Sequence, residues 1–220
     1  MLINPSPEIA AAQLRKIQAH AEAGVPEHTQ KLLPLVQASS QSQLLLLLEM
    51  AMPTLKELSY AQYKRFSANT AELIVFDQRV DVFEWVLHRV MTKELYAHFE
   101  QPHRTLGRIS SLRRVRTEVQ HLMSVIAHRS SAAETSYAQG AALLNLTLPL
   151  TSRDHFDYEK LNTALSELRE LKPNLKQQLL EASAAVALAD GHLHPDQHAL
   201  LHGIAATLDC PLPLIFQPEQ

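Results

Sequence analysis

Apolar residues recur three or four apart along most of the chain, separated by prolines and polar runs, which is the spacing of amphipathic helices. Ser6 and Pro7 supply a cap and a first-turn proline for a helix running to about Ala23, before Gly24. A second spans about Pro26 to Gln37, where Pro34 should kink or end it. A third covers about Gln41 to Met52 and should stop before Pro53. Ser59 caps a fourth that reaches about Val75, and the polar break Asp77, Gln78 and Arg79 leads into a fifth, about Asp81 to His98. Gln101 to Arg108, with Pro102 and Gly107, reads as a linker. Further helices are expected at about Ile109 to His128, Ala132 to Asn145, Asp154 to Leu171, Pro173 to Ala189 and Pro195 to Leu208. Pro211 and Pro213 close the last one.

The pattern repeats. Setting Leu55–Leu95 against Leu168–Leu208 without a gap pairs Leu58 with Leu171, Ala71 with Ala184, Asp77 with Asp190, Leu87 with Leu200 and Leu95 with Leu208. Each copy reads as helix, tight acidic turn, helix. The predicted fold class is therefore all-α, a helical hairpin or bundle domain built on two repeat units. The layout is 1–100 with the first unit at 55–95, 101–153 as linker and connecting helices, and 154–220 with the second unit at 168–208 and a tail. The expected core is Leu58, Phe66, Leu73, Val80, Leu87 and Met91, with their counterparts Leu171, Leu179, Val186, Leu193, Leu200 and Ile204.

Composition narrows the class without choosing a function. The chain has 220 residues, 46% of them hydrophobic, only 5 Gly, and a formal charge of −3, so global basic attraction to nucleic acid is not its default behaviour. The unbroken leucine run, Leu44 to Leu48, is far short of the roughly 20 residues of a membrane span. Met1 to Ala12 lacks the charged-then-apolar order of an export signal. The one cysteine, Cys210, excludes an internal disulfide and any Cys-based metal cage, and a reducing, cytoplasmic setting is expected.

Candidate chemistry lies at the acidic turns. In each, an Asp organises the turn backbone and an apolar residue three positions on, Val80 or Leu193, can plug it into the core. His194, Pro195 and Asp196 form a cap, first-turn proline and N-terminal acid. Asp77, Asp81 and Glu84 in the first unit, and Asp190 and Asp196 in the second, also offer oxygen ligands suited to Ca²⁺ or Mg²⁺, although no twelve-residue calcium loop is present. His198 and His202 stand one helical turn apart, a spacing that can hold Zn²⁺ or Ni²⁺ with His194 or Asp190 as a third ligand. Solvated histidines with no ligand explain the same pattern, and the repeat partners of that pair are Trp85 and Arg89.

Arg104, Arg108, Arg113, Arg114 and Arg116 run without an acid until Glu118, which suits an anionic membrane surface or an acidic partner, or else a solvated linker. The run lacks interleaved aromatics for base stacking, so no nucleic-acid partner is expected. The sequence contains no HExxH, Gly-rich phosphate loop, GxSxG or paired-Cys motif, so the chain by itself is not expected to be an enzyme.

Two resemblances follow from quoted residues. Val186 to Leu201 resembles the ADG turn of the tellurite-resistance TerB-like helical family, matching at Ala189, Asp190, Gly191, Leu193, Leu200 and Leu201. Gln197 stands where that family carries Glu, which removes a carboxylate from any metal role carried to this unit. Asp77 and Glu84 keep both acids in the first unit, but Gln78 replaces the Gly. Ala51 to Tyr63, Phe83 with Glu84, and Leu208 to Pro213 are similar to the C-terminal region of bacterial HtpX-type membrane zinc metallopeptidases. That resemblance implies a non-catalytic cytosolic regulatory or interaction domain of a membrane-bound zinc endopeptidase of protein quality control. Its zinc would sit in the parent peptidase domain, with no cofactor in this chain. Its partners would be that domain or another protein, and an anionic membrane surface at the cytoplasmic face of the inner membrane. The alternative is a free-standing TerB-like metal-binding stress-response protein.

Overall fold

Helices make up all the regular structure in the computed structural model of the chain, which describes residues 2–76, 81–100, 107–152 and 158–211. The fold is all-α: among the described residues there are ten α-helices, one short 3-10 helix and no strand. No helix among them is long and apolar enough to cross a membrane. Two compact units, Met1–Pro102 and His103–Gln220, divide the chain.

In the first unit, caps set the helix starts. α1 (Pro7–His20) begins on a first-turn proline, and α2 (Val25–Gln37) follows Gly24, whose φ of 87° lies in the left-handed region that glycine tolerates. Reciprocal capping boxes open α3 (Gln41–Lys56) at Ser40 and Gln43, and α4 (Tyr60–Ile74) at Ser59 and Gln62. α5 (Val82–Phe99) is the central helix, with Val82, Phe83, Trp85, Val86, Leu87, Met91 and Leu95 buried and with α3 and α4 packed against it. Tyr63 of α4 stacks on Phe99 at 4.4 Å between ring centroids. Buried Gln13 of α1 accepts from Asn4 N at 2.8 Å and donates to Leu2 O at 3.1 Å, folding the N-terminal residues onto the helix.

α3 does not stop at Met52 as expected; it runs through Pro53 to Lys56. Glu49 and Pro53 are both exposed, so water can satisfy the carbonyl that proline leaves without a partner, while Leu48 and Met52 anchor the opposite face.

The second unit contains the 3-10 helix Leu112–Val115 and α6 (Arg116–Ala127), α7 (Ala133–Leu143), α8 (Tyr158–Leu168), α9 (Pro173–Ala187) and α10 (Pro195–Leu208). The single helix expected over Ile109 to His128 is therefore replaced by extended chain, a 3-10 turn and α6. Tertiary pairing overrides local propensity there: Ile109 N donates to Glu170 O at 2.8 Å and Lys172 N to Ile109 O at 3.0 Å, a parallel bridge to Leu171. At Gly107 an added Cβ would lie 2.3 Å from Leu171 O, so glycine is what lets the extended chain pass. α9 is enclosed by α6, α7 and α10. Gly140 permits the closest approach of α7, since a Cβ there would meet Val186 Cγ2 at 2.3 Å and Ala182 O at 2.8 Å. The stretch 107–152, which sequence assigns to linker and connecting helices, thus supplies α6 and α7 to the same unit as α8–α10.

The repeat is visible in the helix boundaries. Tyr60 and Pro173 start α4 and α9, Ile74 and Ala187 end them, and Val82 and Pro195 start α5 and α10; each pair is 113 residues apart. Leu87 with Leu200, Met91 with Ile204, and Leu95 with Leu208 are buried in both copies, as are the polar pair Thr70 and Ser183. Four expected core positions are only half-buried: Leu58, Phe66, Leu73 and Leu193. The first three belong to a hairpin covered on fewer sides than α9, and Leu193 lies in the open turn before α10. Val80 lies outside the described residues.

Candidate functional site

The carboxylates described at the two acidic turns stand at different positions of the repeat, Asp81 and Glu84 in the first and Asp190 in the second. In the first unit Asp81 is the N-cap of α5: its Oδ1 accepts from Glu84 N at 2.8 Å, and Glu84 Oε2 accepts from Asp81 N at 3.4 Å. Two otherwise unpaired backbone donors are satisfied, and both negative charges sit at the positive end of the helix. Asp77 lies outside the described residues.

In the second unit Asp190 organises its own turn and ties it to a second loop. Its Oδ1 accepts from His192 N at 3.2 Å, and Gly191 follows with a φ of 79°. Its Oδ2 accepts from Ser130 Oγ at 2.7 Å, and Ser130 Oγ in turn accepts from Ser136 Oγ at 3.0 Å and Ala132 N at 3.2 Å. Ser136 is fully buried. This chain pins the α9–α10 turn to the loop between α6 and α7. The Ser130 hydroxyl first, then the His192 N–H, hold the Asp190 carboxyl below its usual range, outweighing partial burial. His194 Nε2 lies 3.6 Å from Asp190 Oδ2 and adds to the same effect when protonated.

Gln197 shows what this position requires. Its Oε1 accepts from His194 N at 3.1 Å, the bond that Glu84 makes to Asp81 in the first unit. An amide oxygen serves as well as a carboxylate for that purpose, although the buried Nε2 is left without a partner. Asp196, half-buried in the first turn of α10, again sits at a positive helix end.

His198 and His202 do meet, with ring centroids 5.1 Å apart and planes at 60°. Burial first, then the charge of His198, push the His202 imidazole down and favour its neutral form. Among the described residues, no three His, Cys, Asp or Glu side chains converge to hold a metal ion. Cys210 is half-buried just past α10, its thiol 3.8 Å from Leu208 O.

The basic residues gather at one corner of the second unit. Arg113 and Arg114 project from the 3-10 helix, Arg116 begins α6, and all three are exposed. Arg108 is exposed too and pairs with Glu170, Nε to Oε2 3.0 Å, while Arg104 lies outside the described residues. The Ile109–Leu171 bridge brings the stretch that carries exposed Arg169 and Lys172 beside Arg108 and Ile109, where this segment begins. Sequence reasoning missed those two cations and the serines on Asp190, because partners about 60 residues apart leave no local mark. No protein-family model, no curated protein and no solved structure matches the chain.

Proposed function

We propose that this chain is a non-catalytic regulatory and interaction domain of a membrane-bound zinc endopeptidase of protein quality control, working at the cytoplasmic face of the membrane. The observation that carries the reading is how the turn carboxylates are used. Asp81 and Glu84 cap a helix, and Asp190 locks one loop to another, so these acids build a rigid helical surface. The rival reading, a free-standing TerB-like metal binder, would use the same carboxylates as ligands. The similarity of Ala51 to Tyr63 and Leu208 to Pro213 to HtpX-type C-terminal regions supports the choice of parent.

Two measurements test it. Sequencing upstream of the Met1 codon should reveal an open frame continuing back through hydrophobic spans and an HExxH. A start codon with its own ribosome-binding site would transfer the lead to the rival. Melting the chain with and without Ca²⁺, Mg²⁺, Mn²⁺ or Zn²⁺ should leave Tm unchanged, whereas a native-state metal ligand raises it.

A further inference from the structure

The basic segment was one stretch of sequence; the fold makes it a surface. Arg113, Arg114 and Arg116 come from the 3-10 helix and the start of α6, and Arg169 and Lys172 arrive from the α8–α9 connection. All five are exposed and have no ion-pair partner among the described residues. Their placement runs against helix electrostatics. Arg116 and Lys172 stand at the positive ends of α6 and α9, and α9 carries no acid in its first turn. These five cations outnumber the acids nearest them in sequence, Glu118 in the first turn of α6 and Glu167 and Glu170 around the end of α8, although the whole chain has a formal charge of −3.

We propose that this corner binds the anionic lipid headgroups of a membrane surface. The surface has the charge for a polyanion but lacks the features of other partners. Protein interfaces have an apolar, aromatic-rich centre, and among the described residues of this unit the only large apolar side chain markedly exposed is Leu143, on α7. Single-stranded nucleic acid is held by stacked aromatics, and none is among the exposed large apolar residues of this unit. A bilayer carrying negative headgroups needs only clustered cations at its surface. The proposal rests on the reading of the chain as a domain that works beside a membrane, and it adds Arg169 and Lys172 to the contact.

The test is co-sedimentation of the full chain with phosphatidylcholine vesicles, with and without phosphatidylglycerol. Binding is expected only with phosphatidylglycerol, and it should weaken as salt shortens the Debye length from about 10 Å at 0.1 M to about 3 Å at 1 M. Each charge removed should weaken partitioning about fivefold, in Arg113→Ala/Arg114→Ala/Arg116→Ala and equally in Arg169→Ala/Lys172→Ala. The triple Arg→Lys variant should bind like the parent, because a lipid surface responds to charge, whereas bidentate capture of carboxylates depends on the guanidinium fork. Unchanged melting curves confirm that the exposed substitutions leave the fold intact. No binding to phosphatidylglycerol vesicles, wild-type binding by the Arg169/Lys172 variant, or loss of binding on Arg→Lys would each overturn the proposal. A continuous upstream frame combined with no vesicle binding would sink this contact and leave the parent assignment standing.

Discussion

The two helix–turn–helix copies share a frame and differ in how completely it is covered. α4 and α9 begin and end at equivalent positions, yet α9 is enclosed by three helices and buries Leu179 and Val186 completely, while their counterparts Phe66 and Leu73 are half-exposed. The exposed large apolar side chains follow the same division. Leu32 and Leu35 on α2 and Leu46, Leu47 and Met50 on α3 all belong to the first unit, and α2 buries no residue. A hairpin frame is therefore compatible with very different amounts of burial, and stability is set by neighbouring helices more than by the hairpin itself. At the turns the equivalent caps are Asp81 with Glu84 and His194 with Gln197, and the second turn adds the tie from Asp190 to Ser130, 60 residues away.

Substitution at equivalent core positions gives the largest and most direct test of this contrast. Leu179→Ala should cost about 3–4 kcal/mol, and Phe66→Ala only about 1–2 kcal/mol despite the larger side chain removed, as read by urea denaturation. Equal losses would show that the two hairpins are covered alike. Gly140→Ala comes next, at about 1–3 kcal/mol, because its methyl group would collide with a backbone carbonyl as well as with Val186. Combining it with Val186→Ala should relieve only part of that cost, since Ala182 O remains in the way.

Asp190→Asn should cost about 1–2 kcal/mol at neutral pH, because an amide has one acceptor oxygen for the two donors that the carboxylate now serves. The sign of its pH dependence follows from the lowered Asp190 pKa. The carboxylate's contribution is complete above the ordinary Asp value of about 3.9 and is lost as pH falls through the lower folded value. The Tm difference between wild type and Asp190→Asn should therefore shrink as the pH is taken below about 4. His202 behaves with the same sign at higher pH: its stabilising neutral form is complete above about 6.5 and is lost as pH falls through its lower folded pKa. His202→Gln should flatten that shoulder in a melt series.

The smallest effect concerns the buried polar pair. Thr70 Oγ1 donates to Phe66 O at 3.0 Å, whereas the Ser183 hydroxyl finds no partner. Ser183→Ala should be neutral or stabilising by up to about 1 kcal/mol, and Thr70→Val should be mildly destabilising by thermal melt. A clear loss of stability in Ser183→Ala would mean that the hydroxyl is bonded in solution.

Local signals carried most of the architecture. Ser40, Ser59 and Asp81 mark helix starts because a cap acts on backbone donors two or three residues away. Most of the helices follow from periodicity, and the repeat register predicts the shared starts of α4 with α9 and α5 with α10. Pro53 misled because the penalty for an internal proline depends on whether water can reach the freed carbonyl, which is a property of the packed molecule.

The sequence alone determined that this is an all-α protein with two helix–turn–helix units and acids at their turns, since helix periodicity and capping act over a few residues. Tertiary structure decided the rest: that Ile109 is extended, that Asp190 is bound by Ser130, and that Arg169 and Lys172 join the basic corner. The pairings responsible, Ile109 with Leu171, Ser130 with Asp190 and Arg108 with Glu170, each join residues about 60 positions apart, and they form only when helices pack and close the intervening chain.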